Sequence, residues 1–407
     1  MTRIILIVGT YRPTHCGVAD YTYHLQQHLH QQHIETTVLT TKTVAAELQT
    51  TDVLGVVEDW SWSQLWPLVR SLHQVSGDLL HIQHAAGTYD FERAIFLLPL
   101  LLRMTDWRKP IVTTIHEYGW WEWQPQWLPQ RRVEWLKTWG QSHQWWDRED
   151  GFLLTGSDAI ITTNRNATQV IRSRLPNLVS AVTEIPIGAN IHRFEGDRAH
   201  TRQTLRQQLG WPDDALIMAF FGFLHPVKGL ETLLPAFQQV VSAYPQARLL
   251  LVGGVESLAL PEEQARRYWQ KLQDTIATLQ LQSVVHMTGY VEAAIAAQYL
   301  NSADIGVLPF NHGVTLKSGS LLALMAHSLP IVATRSTPPD PDLDDTIVQF
   351  ISPRNQEELV MELQRLLKDP ELRSRLGAAG KAFSQQFDWS AIAAQHRQIY
   401  ERVGNRE

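Results

Sequence analysis

The sequence predicts an α/β protein built as two successive parallel-sheet halves. Three observations carry that prediction. Short apolar strands alternate with amphipathic helices along the chain. A polar, charged stretch at residues 192–214 interrupts the alternation, which then starts afresh. At 407 residues the chain also exceeds what one hydrophobic core usually serves.

The elements follow in order. Residues 4–8 form a first strand, and the helix after the Pro/Gly loop places Val18, Thr22, Leu25 and Leu29 at helical spacing. TTVLT, LLHIQH and PIVTTIH read as further strands, each short, apolar and ended by polar residues. AIITTN is strand-like, ATQVIRSRL helical, and VTEIPIGAN a strand with its loop. After the break, which reads as a linker, the strands are IMAFFGF, ARLLLVGG, VVHMTGYV, IGVLPF and PIVAT. The helices between them are LETLLPAFQQVVSAY, EEQARRYWQKLQDTIATL and GSLLALMAHS, with two more over residues 354–386. The last helix, WSAIAAQHRQIYERV, aligns Ile392, His396, Ile399 and Val403 along one side. Two α/β halves place a cleft between them, where ligands of such proteins bind.

Composition excludes several classes. Residues 1–190 hold 15 Lys/Arg against 18 Asp/Glu, and the rest 20 against 23, so neither half has a nucleic-acid binder's basic excess. A single cysteine, Cys16, excludes a disulfide framework and a cysteine-based zinc site. No run approaches the ~20 apolar residues of a membrane span. The expected location is the cytoplasm, with peripheral contact at the inner membrane face left open. Of 15 tryptophans, Trp120, Trp121, Trp123, Trp127, Trp135, Trp139, Trp145 and Trp146 crowd into residues 118–150.

Four places could carry chemistry. Gly17 enters the first helix, where small size admits a ligand to unpaired N–H groups. Lys228-Gly229 opens another helix, and a lysine there opposes the helix dipole unless an anion bridges them. Lys317-Ser318-Gly319-Ser320 precedes an apolar helix; Ser318 is a natural N-cap, and the rest suits a diphosphate cradle. His116 and Glu117 end a parallel strand and lead into the Trp-rich segment; His81 and His84 close a neighbouring one. Asp340 and Asp342 lie in a proline-rich turn rather than a metal site, and His28, His30 and His33 are too irregular for one.

In order, these pieces resemble retaining glycosyltransferases of family 4, which have the GT-B fold. The likeness runs through GVADYTYHLQQHL, TIHE, SDAIITTN and IPIGANIHRF. It continues in FFGFLHPVKGLETLLPAF, ARLLLVGG, MTGYV, ADIGVLPF, SGSLLALMAHSLPIVAT and FDWSAIAAQHRQIYERV. The resemblance implies two Rossmann-like domains facing a central cleft. Residues 1–192 would bind the acceptor, with 118–150 as a Trp-rich insertion. Residues 193–386 would bind the nucleotide sugar, and 387–407 would form a helix crossing back to the N-domain. It implies transfer of a sugar from a UDP-, GDP- or ADP-linked donor to a glycan or lipid-linked acceptor, with no metal and no resident cofactor. His116 and Lys228 would be catalytic. Gly17, Lys228, Gly229, Lys317, Ser318, Gly319 and Ser320 would hold the donor diphosphate. Glu117, Trp120, Trp121 and Trp123 would meet the acceptor.

Two features depart from the family. Phe223 stands where an arginine often contacts the diphosphate, and Thr315 and Ala323 replace its paired glutamates. The alternatives are a GT-B-type sugar-nucleotide epimerase, a non-catalytic sugar-nucleotide binder and a Trp-rich glycan-binding protein. In residues 118–150, Arg131, Arg132 and Lys137 interleave with Glu122, Glu134, Asp147, Glu149 and Asp150, which predicts weak attraction to anionic lipid.

Overall fold

The computed structural model describes residues 2–125, 128–256 and 261–405, and the chain divides into two compact units. Met1–Ile187 and Trp389–Glu407 make the first, and Gly188–Asp388 the second. Trp127 lies outside the described residues.

The first unit runs β1 (Arg3–Val8), α1 (Gly17–Gln31), β2 (Glu35–Thr41), α2 (Lys42–Leu48), β3 (Val53–Val57), α3 (Leu65–Gln74) and β4 (Leu79–His84). It continues through α4 (Leu98–Arg103), β5 (Ile111–Ile115), α5 (Gln130–Ser142), α6 (Phe152–Thr155), β6 (Ala159–Thr162), α7 (Arg165–Arg174) and β7 (Val182–Glu184). Its seven strands pair in the order β3-β2-β1-β4-β5-β6-β7, all parallel. β1 is apolar on both faces because both are covered. Ile4, Leu6 and Val8 join one core cluster, and Ile5 and Ile7 another.

The second unit holds α8 (Arg198–Gln208), β8 (Leu216–Phe221), α9 (Leu230–Ala243), β9 (Ala247–Val252), α10 (Glu262–Thr278), β10 (Val285–Met287) and α11 (Ala293–Ser302). Then come β11 (Ile305–Leu308), α12 (Gly319–Ala326), β12 (Ile331–Thr334), β13 (Gln349–Ile351), α13 (Gln356–Lys368) and α14 (Pro370–Ser384). The strand order is β10-β9-β8-β11-β12-β13, again parallel throughout. α15 (Trp389–Gly404) belongs to the first unit, where it lies beside α1. Trp389 stacks on His24 at 5.2 Å and meets Tyr21 edge-on at 5.1 Å. The side chains of Ile392, His396, Ile399 and Val403 are all buried there.

The structure corrects the sequence reading in places. The expected linker contains an eleven-residue helix, α8. Its sequence looks solvated because a single apolar side chain, Leu205, is buried. The rest of its hold is polar: Arg202 pairs with Asp304 at 2.8 Å, and Asp197 caps the helix start. The short strands β3 and β13 and the helices α3 and α11 were also not foreseen. Among the described residues no helix is long and apolar enough to cross a membrane.

Trp389 is a large buried apolar side chain of α15. Trp389→Ala should destabilise the first unit by ~3–5 kcal/mol. Urea unfolding followed by circular dichroism checks this; a change under ~1 kcal/mol would mean α15 is held without it.

Candidate functional site

Strand order reverses between β1 and β4 in the first sheet and between β8 and β11 in the second. Connections leave in opposite directions from such a point and open a crevice at the carboxyl ends of the strands. In the second unit that crevice lies between the loops following β8 and β11.

Gly222 follows β8 at φ +129°, and a side chain there would come within 2.6 Å of Ser320 Oγ. Residues Pro226–Lys228 form one 3₁₀ turn, opened by His225, whose Nδ1 accepts the Val227 N–H at 3.2 Å. Gly229, at φ +72°, then caps α9 with its backbone pressed against the Pro309 carbonyl, where no side chain fits. The Asn311 N–H donates to the Val227 carbonyl at 2.9 Å, and its side-chain amide to the Pro226 carbonyl at 3.0 Å. The two loops are thereby stitched together.

Lys228 stands in this crevice with Nζ 3.8 Å from the ring centroid of Phe310. It is half-buried, and no carboxylate pairs with it among the described residues. Burial pulls its amine down from the usual lysine range to about 8. Ser318 caps α12 by accepting the Leu321 N–H at 3.3 Å. Ser320 meets the β8 loop, Gly319 faces the Asn190 side chain, and Lys317 is exposed. An amine at a helix start with no carboxylate partner among the described residues is suited to an anion.

Ala323 is fully buried in α12, where a carboxylate would enter an apolar core; Thr315 is half-buried and braces the backbone of Lys317. Asp340 accepts the Leu316 N–H at 2.9 Å and the Asp342 N–H at 3.2 Å, so it shapes its loop.

In the first unit, Gly17 is the exposed first residue of α1, with open space where a side chain would go. His116 follows β5 and meets Tyr21 edge-on at 4.7 Å. Its Nε2 hydrogen-bonds Gln83 Oε1 at 2.9 Å, while the Gln83 amide nitrogen reaches His81 at 3.1 Å. Burial, followed by His84 and His396, pushes His116 down to about 3, so its imidazole is neutral at pH 7. Nε2 then carries the proton, and Nδ1 can accept one. His81 is wholly buried between Thr114 and Tyr400, and His84 pairs with Asp150 at 3.3 Å inside the core. Glu117 is exposed.

The Trp-rich segment differs most from expectation. Its acidic residues do not lie on the surface as a screen. Asp147, Glu149 and Asp150 are all about 2% exposed. Glu149 accepts the N–H groups of Gly119, Trp120 and Trp121 at 2.8–3.1 Å and pairs with Arg174 at 3.0 Å. Asp147 accepts the Tyr118 hydroxyl at 2.6 Å, and burial lifts its carboxyl to about 6. Glu122 binds Arg148 at 2.7 Å and the buried Lys137 at 2.8 Å.

The tryptophans form two groups. Trp135 stacks on Trp139 at 6.2 Å, and Trp139 touches Trp145 and Trp146. Trp121 packs under Arg93 and against Phe96, whereas Trp120 is exposed. Trp123 is half-buried and fixed by its N–H to the Arg148 carbonyl.

Known proteins place this geometry. Residues 201–383 match the family model described as glycosyl transferases group 1. A D-inositol 3-phosphate glycosyltransferase from Kineococcus radiotolerans is 27% identical over 54% of this chain and 52% of its own. The chain thus spans about half the length of the curated relatives it matches. A Rickettsia africae glycosyltransferase structure is similar with a TM-score of 0.74 at 13% identity, over 100% of this chain and 99% of that one. An Anabaena HepE structure, a complex with UDP and glucose, aligns with a TM-score of 0.68 at 15% identity, over 99% and 100%. The fold is GT-B.

On the GT-B frame the expected residues fall into two sets. Lys228, Gly229, Gly319 and Ser320 gather at the second sheet's reversal, with Ser318 turned to capping. Gly17, His116 and Glu117 gather in the first unit, followed by Trp120 and Trp121. Sequence reasoning missed Phe310, Gln83 and the three buried carboxylates. The string Asp-Arg-Glu-Asp at 147–150 was visible, but only the fold shows which N–H groups it receives.

Glu149→Ala should cost ~3–5 kcal/mol, because it removes the nearer of Arg174's two carboxylates and leaves three N–H groups unpaired. Hydrogen exchange at Gly119, Trp120 and Trp121 should rise well above that of the β5 amides. Unchanged protection there would show that the carboxylate does not hold this turn.

Proposed function

We propose that this chain is a glycosyltransferase that moves a sugar from a nucleotide-diphosphate donor to a carbohydrate or lipid-linked acceptor, with retention and without a metal. The observation that carries the reading is Lys228: a half-buried amine at the start of α9, over the Phe310 ring, with no carboxylate partner among the described residues. A diphosphate supplies the missing charge. The second unit would bind the donor, and the first the acceptor. The family match over residues 201–383 and the nucleotides named for structural neighbours support the donor assignment.

The chemistry asked of these residues is modest. As the bond from sugar to phosphate breaks, negative charge grows on the leaving diphosphate. Lys228 and the free N–H groups at the start of α12 would stabilise it without reorganisation. The neutral imidazole of His116 would offer a hydrogen bond toward the transferred sugar and would not act as a cationic acid at pH 7. The Ser320 hydroxyl, beside Gly222, would offer the phosphates a further hydrogen bond.

Lys228→Ala should lower kcat/KM by ~100-fold or more, equivalent to ~2.7–4 kcal/mol, with an unchanged melting temperature. Activity within threefold of the parent would overturn the assignment. Because the Lys228 pKa is lowered to about 8, nucleotide-diphosphate affinity of the free protein should weaken as pH rises through that value. The sign follows from loss of the ammonium charge on deprotonation. Calorimetric titration of UDP, GDP and ADP between about pH 7 and 9.5 checks it, and Lys228→Ala should abolish the dependence.

A further inference from the structure

In the loops after β4 and β5, two aromatic side chains are held out of the core. Phe91 is 55% exposed and Trp120 57%, with ring centroids 6.5 Å apart and planes at 81°. Exposure of one large ring is ordinary; two rings fixed against each other require backbone that holds them. Asp90 and Phe91 both have left-handed backbone, at φ +53° and +58°, which costs non-glycine residues energy. The Phe91 and Glu92 N–H groups donate to the Ala86 and Tyr89 carbonyls, which fixes this turn. On the other side, the Trp120 N–H is held by Glu149. Trp121 has a ring face occupied by the Arg93 guanidinium at 3.7 Å, which leaves Phe91 and Trp120 as the open rings.

The charges of the same loops are one-sided. Asp90, Glu92 and Glu117 are exposed, and none forms an ion pair among the described residues. The neighbouring cations are engaged: Arg93 on Trp121 and the Glu122 carbonyl, Arg174 on Glu149, Arg148 and Lys137 on Glu122. We propose that Phe91 and Trp120, with Asp90, Glu92 and Glu117, form a platform for a neutral pyranose ring of the acceptor. This rests on the transferase reading and narrows its acceptor to an uncharged sugar unit.

The chemistry selects that occupant. Sugar rings present C–H faces to aromatic rings and hydroxyl donors at their edges, and ionised carboxylates only accept. An acyl chain would cover the rings but strip water from the carboxylates without returning a hydrogen bond. A phosphorylated acceptor or anionic lipid would meet like charge, and the neighbouring cations among the described residues are already engaged.

The test is saturation-transfer NMR on the full chain with methyl glucoside, galactoside and mannoside, maltose and cellobiose, each compared with glucose 6-phosphate. At least one neutral sugar should bind, and glucose 6-phosphate should bind at least about tenfold more weakly. Phe91→Leu and Trp120→Ala should each weaken that sugar by about tenfold, with melting temperatures near the parent's. Asp90→Asn, Glu92→Gln and Glu117→Gln combined should reduce the discrimination against glucose 6-phosphate. No binding by any neutral sugar, tighter binding of glucose 6-phosphate or of vesicles with anionic lipid, or unchanged affinity in both ring variants would overturn the platform. Titration of UDP, GDP and ADP into the same sample separates the two ideas. Binding of any one of them without sugar binding removes the platform alone, and sugar binding with none of the three nucleotides bound removes the transferase reading alone.

Discussion

Both candidate sites depend on one constraint, the reversal of strand order beside the first strand of each sheet. Parallel strands point all their carboxyl ends one way, and the reversal sends neighbouring loops apart at that edge. What closes the gap in the second unit is contact between backbones. Gly229 lies against the Pro309 carbonyl, and Gly253 against the Gly222 carbonyl, positions where a side chain would force the loops apart. Gly9 meets the Thr88 carbonyl in the same manner at the first unit's reversal. These contacts set where Lys228 and Ser320 stand, and where the loops after β1 and β4 begin.

The two units then treat charge in opposite ways. In the first, carboxylates are drawn inside and satisfied: Glu149 by three N–H groups and Arg174, Glu122 by Arg148 and Lys137. Buried charges with full sets of partners add little net stability, yet removing one partner is expensive, so the arrangement fixes a unique loop geometry. In the second unit Lys228 packs on an aromatic face, and no carboxylate pairs with it among the described residues.

Much of the fold was legible because periodicity survives in a single sequence. β1, β4, β5 and β12 are short apolar runs with polar ends, and α1 and α15 carry their buried stripes openly. α8 was hidden because its attachment is mostly ionic, with Leu205 as its one buried apolar side chain. β3 and β13 were hidden because edge strands of five and three residues bury too little to show a pattern.

The sequence by itself determined two parallel α/β units, helix starts at Gly17 and Ser318, and a lysine just before α9. Those features are local, set by spacing, capping and the helix dipole. Only the tertiary structure decided that Ser320 meets Gly222, that Asp147, Glu149 and Asp150 turn inward, and that Phe91 joins Trp120. Such pairings join residues about 30 to 100 positions apart, and their energy depends on burial. A carboxylate that looks like solvated surface charge in the sequence becomes an organising centre once the fold removes its water and supplies N–H donors.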